Sequence, residues 1–442
     1  MTRSIAIVGG GMTGIAAAMR LAQEGHTVDL YEARDHLGGL SDAYSWDGVT
    51  WDRFYHVVLS TDERLVGLIS ELGLGDQLFW RATRSGFYGD GQLVSMSSMG
   101  DFLRFPFLTL WQKFRLGMGI LTSIGVKDAD KLDRVYVREW LTRVFGRRVY
   151  ERIWDPLLRS KLGEARNRTS AAFIWATITR LYGARSGEAK TEQMGHVKGG
   201  YAAILGAAAA RLQELGVAVK TGNRVQTVRP AADGGVDLTS DTVAGHYEQV
   251  LLTVPAPEVL RLTGMDAGAG AYWRALAEVT YLGVLCLFTV LDRRLSSYYV
   301  TNLLDKSLPF TGIIEVTNII DPAEFGGRHL VYLPKYVTAD DPLVTASDDE
   351  VEEKLLSGLR AVHPDLPPAA VLHTRLFRER HVQPLQEVNY LDQTRGIKTP
   401  IDSVYLANST MLYNSTLNNN AAITLAERAV DVMSGRETVS HA

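Results

Sequence analysis

The earliest apolar run, Ile5-Ala6-Ile7-Val8, is continuous rather than alternating, the pattern of a parallel strand covered on both faces. It enters Gly9-Gly10-Gly11-Met12-Thr13-Gly14 directly, and Ile15 to Glu24 then follows an alanine-rich helical pattern that stops at Gly25. Thr27 to Tyr31 predicts a second strand, which ends at Glu32. Much later, Val217 to Lys220, Arg224 to Val228 and Val236 to Leu238 read as strands broken by Gly222, Asp233, Gly234 and Gly235, with Val250 to Val254 as a further buried run. Between these segments the periodicity changes. Leu108 to Leu181 is helical, with clustered Arg and Trp, whereas Tyr281 to Val290, Gly312 to Thr317 and His329 to Leu333 predict strands of an antiparallel sheet. Near the end, Val404 to Thr410 has a buried-strand pattern, and Leu417-Asn418-Asn419-Asn420-Ala421-Ala422-Ile423 opens a last helix running to about Met433.

The order strand, G-x-G-x-x-G turn, helix, strand, acidic residue carries a chemical reading. Gly9 permits the tight turn, Gly11 lets backbone approach a pyrophosphate, and Gly14 lets the helix pack closely on the strand. The free amides that open the helix then face the anion. Glu32 stands where a carboxylate accepts hydrogen bonds from both hydroxyls of an adenosine ribose, which disfavours a 2′-phosphate.

Composition narrows the class without naming it. The chain is 46% hydrophobic and 22% charged with a formal charge of −4, an ordinary globular balance that offers nothing to nucleic acid. Its only cysteine, Cys286, lies in the apolar run Val284 to Phe288, so a buried, inert thiol is expected and no intramolecular disulfide. The N-terminus runs into a strand rather than a secretory signal, and cytoplasm is the expected compartment. Phe102 to Ile124 is rich in Phe, Leu and Trp111 but is broken by Arg104, Pro106, Lys113 and Arg115, which bars a spanning helix. An amphipathic helix packed on the core is the favoured reading of that stretch, ahead of an apolar channel wall or contact with a bilayer surface.

After Glu32 the chain continues Ala33-Arg34-Asp35-His36-Leu37-Gly38-Gly39-Leu40, and later carries Met194 to Tyr201 ahead of an alanine-rich helix. With the N-terminal turn and the last helix, these residues resemble the flavoprotein superfamily of monoamine oxidases, protoporphyrinogen oxidases, phytoene desaturases and UDP-galactopyranose mutases. Amine oxidases typically have Arg where this chain has His36 and Leu40; the mutases are closer at His36. The resemblance implies a noncovalently bound FAD in an α/β, doubly wound (Rossmann-like) domain made of residues 1–98, 195–262 and 386–433. An interleaved α+β substrate domain would comprise 99–194 and 263–385, with 434–442 as a frayed tail. The cofactor contacts implied are Gly9, Gly11, Met12, Thr13, Gly14, Glu32, Ala33, Arg34, Gly38, Gly39, Leu40, Val225 beside the adenine, Asn418 and Asn420. Asn418 falls where many relatives have glycine, and Asn tolerates a left-handed backbone.

His56 is the candidate catalytic residue, as proton manager or flavin contact, with a backbone-satisfied core histidine as the equal alternative. Arg53 holds a substrate anion or pairs with Asp52. Arg159, Lys161, Glu315, Tyr332, Lys335 and Tyr336 are candidates to converge on a polar substrate. Val279 to Phe288 offers no match for the lysine of many amine oxidases, so simple amine oxidation is not favoured. No metal-ligand spacing, nucleophile elbow or Walker lysine occurs. The expected function is hydride removal by FAD from a C–C, C–N or C–O bond of a small or lipid-like molecule, with oxygen, a quinone or another electron acceptor. The alternative is a non-redox flavin-dependent sugar mutase.

Overall fold

The computed structural model describes residues 2–183, 193–232, 234–393 and 396–437. Asp233 in the expected turn and residues 438–442 of the expected tail lie outside the described residues.

Five parallel strands form the sheet on which the glycine turn stands, in the order Ala218–Lys220, Thr27–Tyr31, Ser4–Val8, Gln249–Leu252, Val404–Leu406. Ser4–Val8 is central because both faces are covered. Ile5 and Ile7 bury completely among the helices Met12–Gln23, Gly200–Glu214 and Asn419–Met433, while Ala6 and Val8 face a cluster built on an antiparallel meander. Each fully buried isoleucine contributes about 1.5–3 kcal/mol relative to exposure. The meander is Val225–Pro230, Val236–Ser240 and Ala244–Tyr247. Layers on both faces of a parallel sheet make the architecture α/β and doubly wound, as the continuous apolar runs predict. Successive strands leave Ser4–Val8 in opposite directions, so the turn at its carboxyl end sits at the switch point, where α/β sheets bind ligands.

The second large sheet has seven strands, ordered Val371–Pro384, Tyr281–Leu291, His329–Val337, Gly312–Glu315, Val300–Leu303, Ser85–Gly89, Gln92–Ser95. It is antiparallel except where Val300–Leu303 runs parallel to Ser85–Gly89. Ser85–Gly89 and Gln92–Ser95 come from within residues 1–98, so the chain crosses to this sheet before the helical region begins.

The helical region contains Leu110–Ile124, Val137–Phe145, Asp155–Leu162 and Ala171–Gly183. Leu110–Ile124 overturns one expectation. Its core-facing side is Lys113, Leu116, Gly119 and Ser123, while Leu110, Trp111, Phe114, Met118 and Leu121 are exposed. The helix does pack on the core, through its small and polar face. Gly119 permits this because the Phe145 ring occupies the space a Cβ would need.

Candidate functional site

Two glycine segments face each other at the switch point. Gly38 N donates to Gly10 O at 2.9 Å, and Gly11 bridges Gly38 in parallel. Gly9 has φ of +114°, and a Cβ there would come 2.6 Å from Thr253 Oγ1, which itself donates to the carbonyls of Val8 and Gly9. Gly14 has no room for a side chain, because a Cβ would overlap Gly9 O. Gly11 differs: an added Cβ would meet only Gly39 Cα, at 3.9 Å. The space over Gly11 is therefore bounded by backbone and left open by the lack of a side chain. The helix Met12–Gln23 opens onto it with no side-chain cap, so the amides of Met12, Thr13 and Gly14 lack a side-chain acceptor there.

Glu32 closes one end of this cradle. Its Oε2 accepts from Gly10 N at 2.7 Å and its Oε1 from Arg34 N at 2.8 Å. Asn223 N donates to Glu32 O at 3.0 Å, which brings the strand beginning at Val225 into the same corner. Ala33 is exposed there. Arg34 works on the loop instead: its guanidinium reaches Gly39 O at 3.3 Å, Asp42 at 3.5 Å and Glu379 at 3.2 Å.

Asp42, which the sequence reading passed over, is the hub of the loop after Gly39. Its carboxylate takes Arg53 at 2.9 Å, His36 Nε2 at 2.9 Å and the Ala43 amide at 2.7 Å. Burial alone would raise this carboxyl, but the Arg53 and His36 hydrogen bonds outweigh burial and hold it below the usual carboxylate range. The same bond to Asp42 raises His36. Arg53 thus pairs with Asp42 and not with Asp52, and its guanidinium also lies 5.1 Å from the Phe377 ring centre. Sequence adjacency misled because Asp52 and Arg53 neighbour each other in and just beyond a strand, where successive side chains diverge.

Asp52 turns inward. Its Oδ1 accepts from Tyr201 N at 2.8 Å, and burial pushes its carboxyl up to about 8. His56 Nδ1 stands 4.0 Å from Asp52 Oδ2, beyond hydrogen-bond reach, and the ring tilts against Tyr201 with centroids 4.9 Å apart. Burial pushes His56 down to about 4, so a neutral imidazole faces a largely protonated acid at neutral pH. His56 is thus a buried imidazole of low basicity, in which burial outweighs a backbone hydrogen bond at Phe54 that would raise it.

The last helix enters from the other side. Asn418 is its N-cap, with Oδ1 accepting from Ala421 N at 2.9 Å and an extended φ of −161°. The left-handed backbone expected there is not adopted, because capping needs an extended residue. Asn420 Oδ1 accepts from the amides of Arg64 and Leu65, at 2.9 and 3.1 Å, and so caps the neighbouring helix Glu63–Glu71. Asn419, another residue passed over, accepts from Ser41 Oγ at 3.0 Å and ties the glycine-doublet loop to the helix. Only an unbroken Asn run marked it in sequence. Leu40, Tyr55, Tyr336 and Leu417 then gather, half-buried, on one apolar cluster. Tyr55 and Tyr336 share a hydrogen bond of 3.2 Å, and Lys161 Nζ lies 4.8 Å from the Tyr336 ring centre.

Tyr332 belongs to the same cluster, its ring centre 6.3 Å from that of Tyr55, whereas Glu315, Arg159 and Lys335 do not join them. Glu315 is buried against the Leu295 and Ser296 amides, Tyr332 donates to Asp52 O, and Arg159 pairs with Glu164. Lys335, three strand positions from Tyr332 and one from Tyr336, falls on the opposite face of the strand and looks the other way. Cys286 is fully buried and its thiol is pushed up by burial. Among the described residues no group of His, Cys, Asp or Glu is placed to hold a metal ion, and no helix is long and apolar enough to cross a membrane.

Known proteins resemble the chain in sequence and in fold. The chain is 27% identical over 271 residues to a protein of Mycobacterium tuberculosis named as a flavin-containing monoamine oxidase, 58% of this chain and 57% of that one. It therefore spans little more than half the length of that relative. A 15-cis-phytoene desaturase of Glycine max is 23% identical over 441 residues, 91% of this chain and 74% of the relative. Among solved structures, reduced UDP-galactopyranose mutase superposes with a TM-score of 0.76 at 18% identity, covering 99% of this chain and 97% of that one, a likeness of fold. The profile described as flavin containing amine oxidoreductase matches residues 12–433, and the chain belongs to that family of flavoprotein oxidoreductases.

Proposed function

We propose that the flavin is FAD, held noncovalently, and that the protein removes a hydride from a C–C, C–N or C–O bond of a small or lipid-like substrate. The observation that carries this is the open space over Gly11, walled by Gly39 and floored by the uncapped amides of Met12, Thr13 and Gly14. It fits a pyrophosphate and no side chain of the protein. Glu32 would take the adenosine ribose, Val225 the adenine side, Gly38 to Leu40 the ribityl chain, and the Asn418–Asn420 turn the pyrimidine edge. Cys286 is too deeply buried to serve as a covalent anchor. When bound, FAD supplies a two-electron acceptor. The protein's part is to orient the substrate among Leu40, Tyr55, Tyr336 and Leu417, to exclude water, and to receive a proton, for which the His56 imidazole is the candidate. In this reading residues 1–98, 195–262 and 386–433 chiefly serve the cofactor and the intervening pieces the substrate, with Ser85–Gly89 and Gln92–Ser95 joining the substrate sheet and Leu40, Tyr55 and Leu417 facing the substrate from the cofactor side. The relatives' names, an amine oxidase and a polyene desaturase, set the compounds to try first.

Purified protein should be yellow and should release FAD on acid denaturation, leaving an unmodified polypeptide. Panels of amines and of polyenes, added anaerobically, should include a compound that bleaches the oxidised flavin, and oxygen or a quinone should restore the colour. A compound converted only by pre-reduced protein, with no acceptor consumed, would replace hydride removal with the sugar-mutase type of chemistry. Colourless protein that takes up no FAD would remove both.

A further inference from the structure

The outward face of the helix Leu110–Ile124 is the reverse of what an aqueous surface selects. Leu110, Phe114, Met118 and Leu121 recur at helical spacing along it and Trp111 lies beside them, with Trp111 68% exposed and Phe114 55%. Trp111 and Phe114 stack at 5.4 Å between centroids. The adjoining short helix Met99–Arg104 adds Met99 and Leu103, one turn apart and both exposed. Lys113 points inward and donates to Leu103 O at 2.6 Å, which fastens the two helices together and keeps its charge off the apolar face. A capping box at Thr109 and Gln112 fixes the helix start, so the stripe is held rather than frayed. A contiguous apolar surface of this kind marks an interaction site.

Charge identifies the partner. Residues 99–148 hold ten Lys and Arg against five Asp and Glu, a net +5 within a chain of net −4. Arg115 joins its helix to the next corner by donating to Phe145 O at 3.4 Å, and Arg143, Arg147 and Arg148 surround that corner. Arg104, Arg143 and Arg148 are exposed and have no carboxylate within ion-pair distance among the described residues. Fifteen helical residues span about 22 Å, short of the ~30 Å hydrocarbon core, and so lie along a membrane rather than across it.

We propose that this face docks on an anionic lipid bilayer, the stripe from Leu110 to Leu121 seated in the interface and the flanking arginines on lipid phosphates. Aromatic residues on the apolar face and basic residues beside it are the combination that holds a helix in the plane of a membrane.

The test uses the full-length holoprotein and sedimentation with vesicles of phosphatidylcholine, with and without phosphatidylglycerol. Protein should sediment with the mixed vesicles, less with phosphatidylcholine alone, and less as salt rises. Trp111→Glu with Phe114→Glu should lower binding by about tenfold or more, while flavin absorbance and melting temperature stay unchanged, since both side chains already face solvent. Arg143→Glu with Arg148→Glu should abolish the preference for phosphatidylglycerol. Protein that stays in the supernatant, binding untouched by the Trp111 and Phe114 changes, or binding indifferent to lipid charge and salt would each overturn the proposal. So would light scattering that shows a dimer broken by those two changes without vesicle binding, which would make the face a contact between two copies of the chain.

Discussion

A side chain on Gly14 would overlap the carbonyl oxygen of Gly9, so the first helix touches the end of the first strand with nothing between them. Gly11, three residues earlier, lies in extended backbone with φ of −76°, a conformation open to any residue. The two glycines therefore separate folding from binding. Gly14→Ala should destabilise the protein by about 3 kcal/mol or more, since backbone must shift to admit the methyl group. Gly11→Val should stay within about 1 kcal/mol of wild type by chemical denaturation and yet be purified nearly colourless. Full flavin content in Gly11→Val would place the phosphate cradle elsewhere.

The Asp52 and His56 pair gives stability a definite pH dependence. Asp52 is about 8 when folded against an ordinary 3.8, so the folded state binds the extra proton and stability falls as pH rises between these values. His56 is about 4 against 6.5, so its contribution rises with pH over that window and is lost as pH falls through it. The two slopes oppose each other below 6.5, and above it only that of Asp52 remains. Stability should fall from pH 6.5 to 8 by up to about 1.4 kcal/mol per unit. Asp52→Asn should flatten that limb, because the amide mimics the neutral acid and can still accept from Tyr201 N. An unchanged slope in urea titrations of the variant would refute the assignment.

Asp42→Ala should be costly despite lying in a loop. It strands Arg53 and His36 around a side chain only 8% exposed, and breaking such a cluster costs about 3 kcal/mol. Flavin retention should fall with it, since Arg34 also spans Asp42 and the Gly39 carbonyl. Loss of less than about 1 kcal/mol in equilibrium unfolding would show that the charges are solvated instead.

Ser41 and Asn419 come from opposite ends of the chain and meet at 3.0 Å. Ser41→Ala and Asn419→Ala should be non-additive, with a coupling of about 0.5–1.5 kcal/mol in a double-mutant cycle of thermal stability. Additive effects would mean that the loop and the last helix are positioned independently.

The sequence by itself determined whatever depends on short-range sterics. Ile5 to Val8, the glycine turn and Thr27 to Tyr31 have side-chain volumes and spacings that permit few backbones, and the strands and helix form where that pattern requires. The downstream strands Val236–Ser240 and Gln249–Leu252 and the last helix were legible for the same reason. Periodicity could assign Leu110–Ile124 to a helix but not choose the side its stripe would face, because Gly119 and Ser123 could be fitted to the core only once Phe145 was in place. Nor could spacing say that Asp42 would gather Arg34, His36 and Arg53, that Asn418 would cap its helix from an extended backbone, or that Tyr336 would meet Lys161 while Lys335 turned away. Those outcomes were decided by the tertiary structure, since they depend on which faces of distant elements are brought together, and long-range packing sets that geometry after the local elements have fixed their own.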